Sequence, residues 1–586
     1  MSVRRLLVLL VPLVCAASPV RAAAPCPAGD VVGVLVSPRA PVVGGPLRAV
    51  AVAGDAAPGD VVVLGGDGAP LAADVVAHGG PPWSAVATVA SAPAGRVRVE
   101  VRRAGEVVAC RDVAVGERAP AAAPAQWDRA TEDLYAAWIE HLFAAPPDED
   151  LGFPSLAPVL RDPARNFLLD HLGLDEDASG ARAIPATPDC ADLPYFLRAY
   201  FAWKLGLPVG YRACSRGSGV APPRCGPPTV VVPPPDVAGF VALLRRVADG
   251  VQSGNARTGL ADDATDFYPL PLVRTALRPG TIYADPYGHT LVIVGWVPQT
   301  AEQAGRLLAV DAQPDQSVGR KRFWEGTFLF ATTPSAGPGF KAFRPLVRGA
   351  SGRIAPLGNA ALARDPVQPF SDEQATLAPE AFYVRMASLI DPAGLAPERA
   401  YESMLAALLE QLRTRVGSVE NGEQWKRAHP GAVVPMPSGG AIFETTGPWE
   451  DYSTPSRDLR LLIAMRVLED LPARIERHPE LFVLGDRSAA AARADVERLH
   501  ARRVGDEAIE YVRSDGSSWR LTVADVLARR ERLEVAYDPN DCVEVRWGAA
   551  EGSDEAAPCR RRAPAEQRAK MEEYRPWFRE GRRPAR

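Results

Sequence analysis

Three side chains in the middle third of the chain are of the types that acyl chemistry at a thiol requires: Cys190, His289 and Asp311. Such chemistry needs a thiolate to attack a carbonyl carbon, an imidazole to carry the proton, and a polar group to fix the imidazole's orientation. After Cys190, the residues Leu193, Phe196, Leu197, Tyr200, Phe201 and Leu205 recur mostly at steps of three and four, which predicts a helix with a broad apolar face. Gly206 and Pro208 stop it, and Pro194 fits its first turn, where an N–H has no intrahelical partner. Asp192 is then the expected N-cap, and Cys190 lies at the positive end of the helix, which favours the thiolate. Pro286-Tyr287-Gly288 form a turn between strands predicted over 281–284 and 290–296, placing His289 at the mouth of the second. Asp311 follows a short apolar strand predicted over 307–310, with Gln313 and Asp315 as substitutes for its role.

The cysteine count singles out Cys190. Arg4 and Arg5 precede an apolar run from Leu6 to Ala17 and small residues at Ala22, Ala23 and Ala24. This predicts a signal peptide over residues 1–22, cleaved after Ala22 and too short to span a bilayer permanently. An exported chain, periplasmic or secreted, is the expectation, with no integral membrane span. Loss of Cys15 leaves Cys26, Cys110, Cys190, Cys214, Cys225, Cys542 and Cys559, an odd number in an oxidising compartment. Neighbourhood suggests the pairs Cys26–Cys110, Cys214–Cys225 and Cys542–Cys559, with Cys190 left over.

The 586 residues are too many for one hydrophobic core, and a 47% apolar, 23% charged composition is that of a folded multidomain chain. Short Val-rich segments separated by Gly, Pro and Asp clusters over 26–116 predict six or seven strands, an all-β sandwich of immunoglobulin-like type acting as a spacer or adhesion module. An Ala/Pro linker follows over 117–126. A central α+β domain is expected over 127–350, with helices starting near Trp127 and over 164–172, and a further strand over 328–331. From 375 to 586 the pattern is mainly helical, with helices over 400–416, 457–468 and 489–503 and strand-like pieces over 508–512 and 533–537. Trp449-Glu450-Asp451 reads as packing plus solvated charge. The late arginines, Arg560–Arg562 with Arg582 and Arg583, read as a solvated tail. A net charge of −5 gives no general attraction to nucleic acid, and neither a nucleotide-binding glycine loop nor a metal-ligand motif is present, so no cofactor or metal is expected.

The order of Cys at a helix start, His at a strand start and Asp at the end of the next strand resembles the papain-like superfamily over residues 185–330. Leu205-Gly206-Leu207-Pro208 with Arg212 beyond it is similar to the core motif of transglutaminase-like proteins. Asp189-Cys190, and Pro279-Gly280 leading to Gly288-His289, are similar to NlpC-type and CHAP-type cell-wall amidases. Thr290 and Leu291 follow His289 where the transglutaminase pattern has a Trp, so the branch stays open. Both branches imply Cys190 as nucleophile and His289 as base, acting on a peptide or peptidoglycan-like substrate by hydrolysis or acyl transfer. The oxyanion hole is expected to use the Cys190 backbone N–H, with Asn166 and His171 as upstream candidates for a second donor. The alternative is a non-catalytic papain-like scaffold or surface-binding protein, in which Cys190 is a small buried hydrophobe.

Overall fold

The structure is a computed structural model describing residues 26, 32–117, 126–180, 183–443 and 447–584. The leader expected over 1–22 and most of the linker expected over 117–126 lie outside the described residues.

Seven strands form the N-terminal module: β1 (Val32–Ser37), β2 (Leu47–Ala53), β3 (Asp60–Leu64), β4 (Asp74–His78), β5 (Trp83–Val89), β6 (Gly95–Arg103) and β7 (Glu106–Val115). They make two antiparallel sheets, ordered β1-β2-β5-β4 and β3-β6-β7, that share one core. The strand β4 was not among the Val-rich segments expected from sequence, which lie over 31–36, 47–52, 61–64, 85–89, 97–102 and 107–113. It lies at a sheet edge with Val75 and Val76 exposed, so no buried face is imprinted on its residues. β2 is buried along its whole length. Leu47, Ala49, Ala51 and Ala53 meet the other sheet, while Val50 and Val52 join the core of the central domain, so the module is packed onto its neighbour through a second face.

The central domain opens with α1 (Arg129–Leu142), whose first turn is capped by Asp128 accepting from the Thr131 N–H at 2.9 Å. There follow β8 (Gly152–Phe153), α2 (Ala157–Leu160), α3 (Asp192–Leu205), β9 (Val209–Tyr211), β10 (Thr229–Val231), α4 (Val237–Gly250) and α5 (Ser253–Ala256). Then come β11 (Phe267–Pro269), β12 (Ile282–Ala284), β13 (Thr290–Val297), β14 (Arg306–Ala312), β15 (Val318–Arg322) and β16 (Gly339–Phe343). The seven-stranded antiparallel sheet runs β11-β16-β12-β13-β14-β15-β8. Side chains alternate across it. Val292, Val294 and Val310 pack on α1 and α3, while Leu291, Ile293, Leu307 and Ala309 pack on the opposite side. That opposite side is covered by Phe382, Tyr383 and Met386 of α7 (Pro379–Ile390), after a short α6 (Asn359–Leu362). α7 therefore belongs with the central sheet, although its sequence position suggested the helical region.

Three expected elements are absent. Residues 164–172 form turns instead of a helix, because Asp162 accepts from the Ala164 N–H and Asn166 accepts from the Leu168 N–H, offering the backbone local partners. Residues 328–331 are irregular: Tyr383 takes the Phe330 N–H at 2.8 Å and donates to the Phe328 carbonyl at 2.9 Å, the groups a neighbouring strand would have used. The piece over 533–537 is not a strand either, since Ala508–Val512 pairs with Ser518–Thr522.

The C-terminal region is built on α8 (Pro397–Ala428), α9 (Pro448–Tyr452), α10 (Pro455–Arg477), α11 (Ala489–Asp506) and a last long helix, Ala565–Glu580. Leu405, Leu408, Leu412, Leu459, Leu462 and Met465 make its core, into which Trp324 of the central domain inserts. Disulfides join Cys26 to Cys110, Cys214 to Cys225 and Cys542 to Cys559. No helix among the described residues is long and apolar enough to cross a membrane.

Candidate active site

Cys190 is the one free cysteine among the described residues. The helix it precedes begins at Asp192, and Asp192 is not its cap: Asp189 Oδ1 accepts from the N–H groups of Ala191 and Asp192 at 2.8 and 2.9 Å. The Asp192 carboxyl is instead pushed up to about 7 by burial and by the charges of Asp189 and Asp249. The thiol also departs from expectation. Burial, then the charge of Asp189, push Cys190 up to about 12, and Asp311 adds to this, against a hydrogen bond from the Thr290 N–H and the charge of Arg460. Desolvation outweighs the helix terminus, so the resting sulfur holds its proton.

His289 is carried by the turn that joins β12 to β13. Asp285 Oδ1 accepts from the Tyr287 N–H at 2.6 Å, the Asp285 N–H donates to the His289 carbonyl at 2.9 Å, and Gly288 takes φ of +107°. A Cβ is strained in that backbone region, which is why glycine precedes the histidine. Nε2 of His289 lies 3.0 Å from Oδ2 of Asp311 on β14. The Thr290 N–H reaches the Cys190 sulfur, and Cys190 and His289 line the same cavity.

Asp311 is buried, and burial alone would raise its carboxyl. Lys321, the bond from His289 and the charge of Arg457 outweigh this and hold it at about 2, so it stays an anion beside the imidazole. Gln313 donates to Asp311 Oδ2 at 2.6 Å, so it acts alongside Asp311 and does not replace it. Asp311 Oδ1 is buried without a hydrogen-bond partner among the described residues. Asp315 is occupied by Ser317.

Cys190, His289 and Asp311 open on one cavity of about 960 Å³ between the central sheet and the helical region. Sequence reasoning missed the far wall. Arg457 and Arg460 from the first turns of α10 line it, as does Glu450, whose carboxyl is raised by burial and by Asp189. Trp449 packs as expected, with its indole N–H on the Ile442 carbonyl. Arg583 is no solvated tail residue either: it donates to the Tyr287 carbonyl at 2.6 Å and to Ser456 Oγ at 2.9 Å. Nothing in the spacing of these residues marks them, because only the packing of two domains brings them to the thiol.

Other candidates fall away from the cavity. Asn166 is wholly buried and satisfied by Trp138, Leu168, Leu160 and Tyr200, so it cannot serve as an oxyanion donor. His171 is buried elsewhere, its imidazole pushed down to about 3 by burial and by Lys204. Arg212 donates to the Gly226 carbonyl at 2.7 Å. Two groups of potential metal ligands exist among the described residues. In one, Cys542 and Cys559 are bonded to each other; in the other, near Asp170, the Lys204 ammonium already holds Glu176 and Asp177 at 2.5 and 2.6 Å.

Comparison with protein-family models, with curated proteins and with solved structures finds no match for this chain.

Proposed function

We propose that the chain is an exported thiol-dependent amide hydrolase or acyltransferase that acts on a peptide or cell-wall peptide. The central domain is a papain-like unit and the N-terminal module an immunoglobulin-like sandwich. One observation carries the reading: the only free thiol among the described residues accepts the N–H of Thr290 and lines the same cavity as an imidazole whose Nε2 is 3.0 Å from a buried carboxylate. Three disulfides support a chain that matures outside the cytoplasm.

In this reading the sulfur is protonated at rest, and His289 takes its proton as Sγ attacks the carbonyl carbon. The Asp311 anion stabilises the resulting imidazolium. The C–N bond then breaks, the amine leaves with the proton from His289, and the thioester passes its acyl group to water or to an amine. The raised thiol also favours a second reading, a scaffold with an inert Cys190. Replacement of Cys190 by Ala separates the two. With a cell-wall peptide fragment and iodoacetamide as probes, the enzyme reading expects turnover and labelling of the full chain that the variant loses; equal turnover in both would sink it.

A further inference from the structure

The helical region touches the site through its polar core as well as through its cavity wall. Nη2 of Arg457 donates to Oε1 of Gln313 at 3.1 Å, Nε2 of Gln313 donates to Asp311 at 2.6 Å, and Asp311 holds His289 at 3.0 Å. An amide has one oxygen and one nitrogen, so fixing its oxygen on a guanidinium dictates that its N–H points at the carboxylate. Without that anchor the amide is free to turn, and its oxygen would then oppose the carboxylate. Asp311 Oδ1 has no hydrogen-bond partner among the described residues, so Oδ2, shared by His289 and Gln313, is the atom on which its hydrogen-bonded orientation rests.

We propose that Arg457 is a positioning residue of this site: from the helical C-terminal region, through Gln313, it sets the carboxylate that orients His289. The inference rests on the Cys190–His289 reading above and assigns that region a task, which is to complete the relay Arg457–Gln313–Asp311–His289. Its conditions are met by the fold. Ser456, Pro455 and Arg457 start α10, and the neighbouring Arg460 is bound to Asp285 in the His289 turn at 2.6 Å, so the first turns of α10 are pinned against the same loop.

The test is the rate of Cys190 alkylation by iodoacetamide in the full chain near neutral pH, followed by mass. Arg457→Ala and Gln313→Ala should each slow it roughly ten- to a hundredfold, the range in which small misplacements of a reacting group fall. The double variant should be no slower than the slower single one, since both break one relay, and Arg457→Lys, which keeps a donor, should recover part of the rate. An unchanged rate in Arg457→Ala, or a double variant whose loss is the product of the two, overturns the proposal. Should Arg457→Ala fail to fold, Gln313→Met decides, because it keeps the arginine and removes only the amide; wild-type alkylation there overturns it as well. A wild-type chain that reacts no faster than His289→Ala would instead sink the Cys190–His289 reading itself.

Discussion

Arg460 of α10 donates to Asp285 at 2.6 Å, and Asp285 is the buried residue around which the His289 turn is folded. The helical region is thus tied to the His289 loop by an ion pair whose carboxylate is fully buried. Removing one partner of such a pair leaves an uncompensated charge. Arg460→Met is expected to lower stability by about 3 kcal/mol, and Asp285→Asn in the same chain to restore part of it. Denaturant unfolding of the two variants measures this; equal losses in both would mean that the pair does not couple.

Asp189 does two opposing things. It caps α3, and its charge raises the Cys190 thiol. Asp189→Ala should cost about 1 kcal/mol in stability, as lost caps do. It should also move the pH at which iodoacetamide labels Cys190 downward, because an anion near the sulfur is gone. Alkylation rates across pH would show the shift, and an upward shift would contradict it.

The N-terminal module meets α1 through two imidazoles, His78 Nε2 and His141 Nδ1, at 3.1 Å. Burial, then the charges of His78 and Arg48, hold His141 down at about 4, below the ordinary 6.5. A depressed imidazole binds fewer protons folded than unfolded, so its stabilisation is complete above about pH 6.5 and is lost as pH falls towards 4. The loss should reach roughly 3 kcal/mol. Unfolding free energy measured from pH 7 to pH 4 should fall less steeply in His141→Gln than in the unaltered chain.

Lys204 reaches from α3 to Glu176 and Asp177 with no exposed surface on its side chain. Lys204→Met would strand two carboxylates in the core, at a cost of about 3–5 kcal/mol. Thermal or denaturant unfolding checks the figure. A loss below about 1 kcal/mol would show that water reaches the pair.

Much of the site was legible in the chain because its elements are local. The apolar spacing after Cys190, the Pro-Tyr-Gly turn before His289 and the apolar strand before Asp311 each reappear as α3, the β12–β13 turn and β14. The three disulfides follow the neighbourhood of their cysteines. Legibility stopped where side chains compete with the backbone. Asp162 and Asn166 dissolve the helix expected over 164–172, Tyr383 satisfies the strand expected over 328–331, and Asp189 takes the cap assigned to Asp192. It stopped again at β4, an edge strand with no buried face to pattern it.

From the residues alone came the identity of the unbridged sulfur, the imidazole and the carboxylate, since cysteine parity and short-range periodicity are properties of the chain. Whether those groups meet, and in what state, was decided in three dimensions. The protonated sulfur follows from burial among carboxylates, and the far wall of the cavity follows from docking α10 against a sheet more than a hundred residues earlier. Desolvation and long-range charge depend on which surfaces are removed from water together, and that is a property of packing.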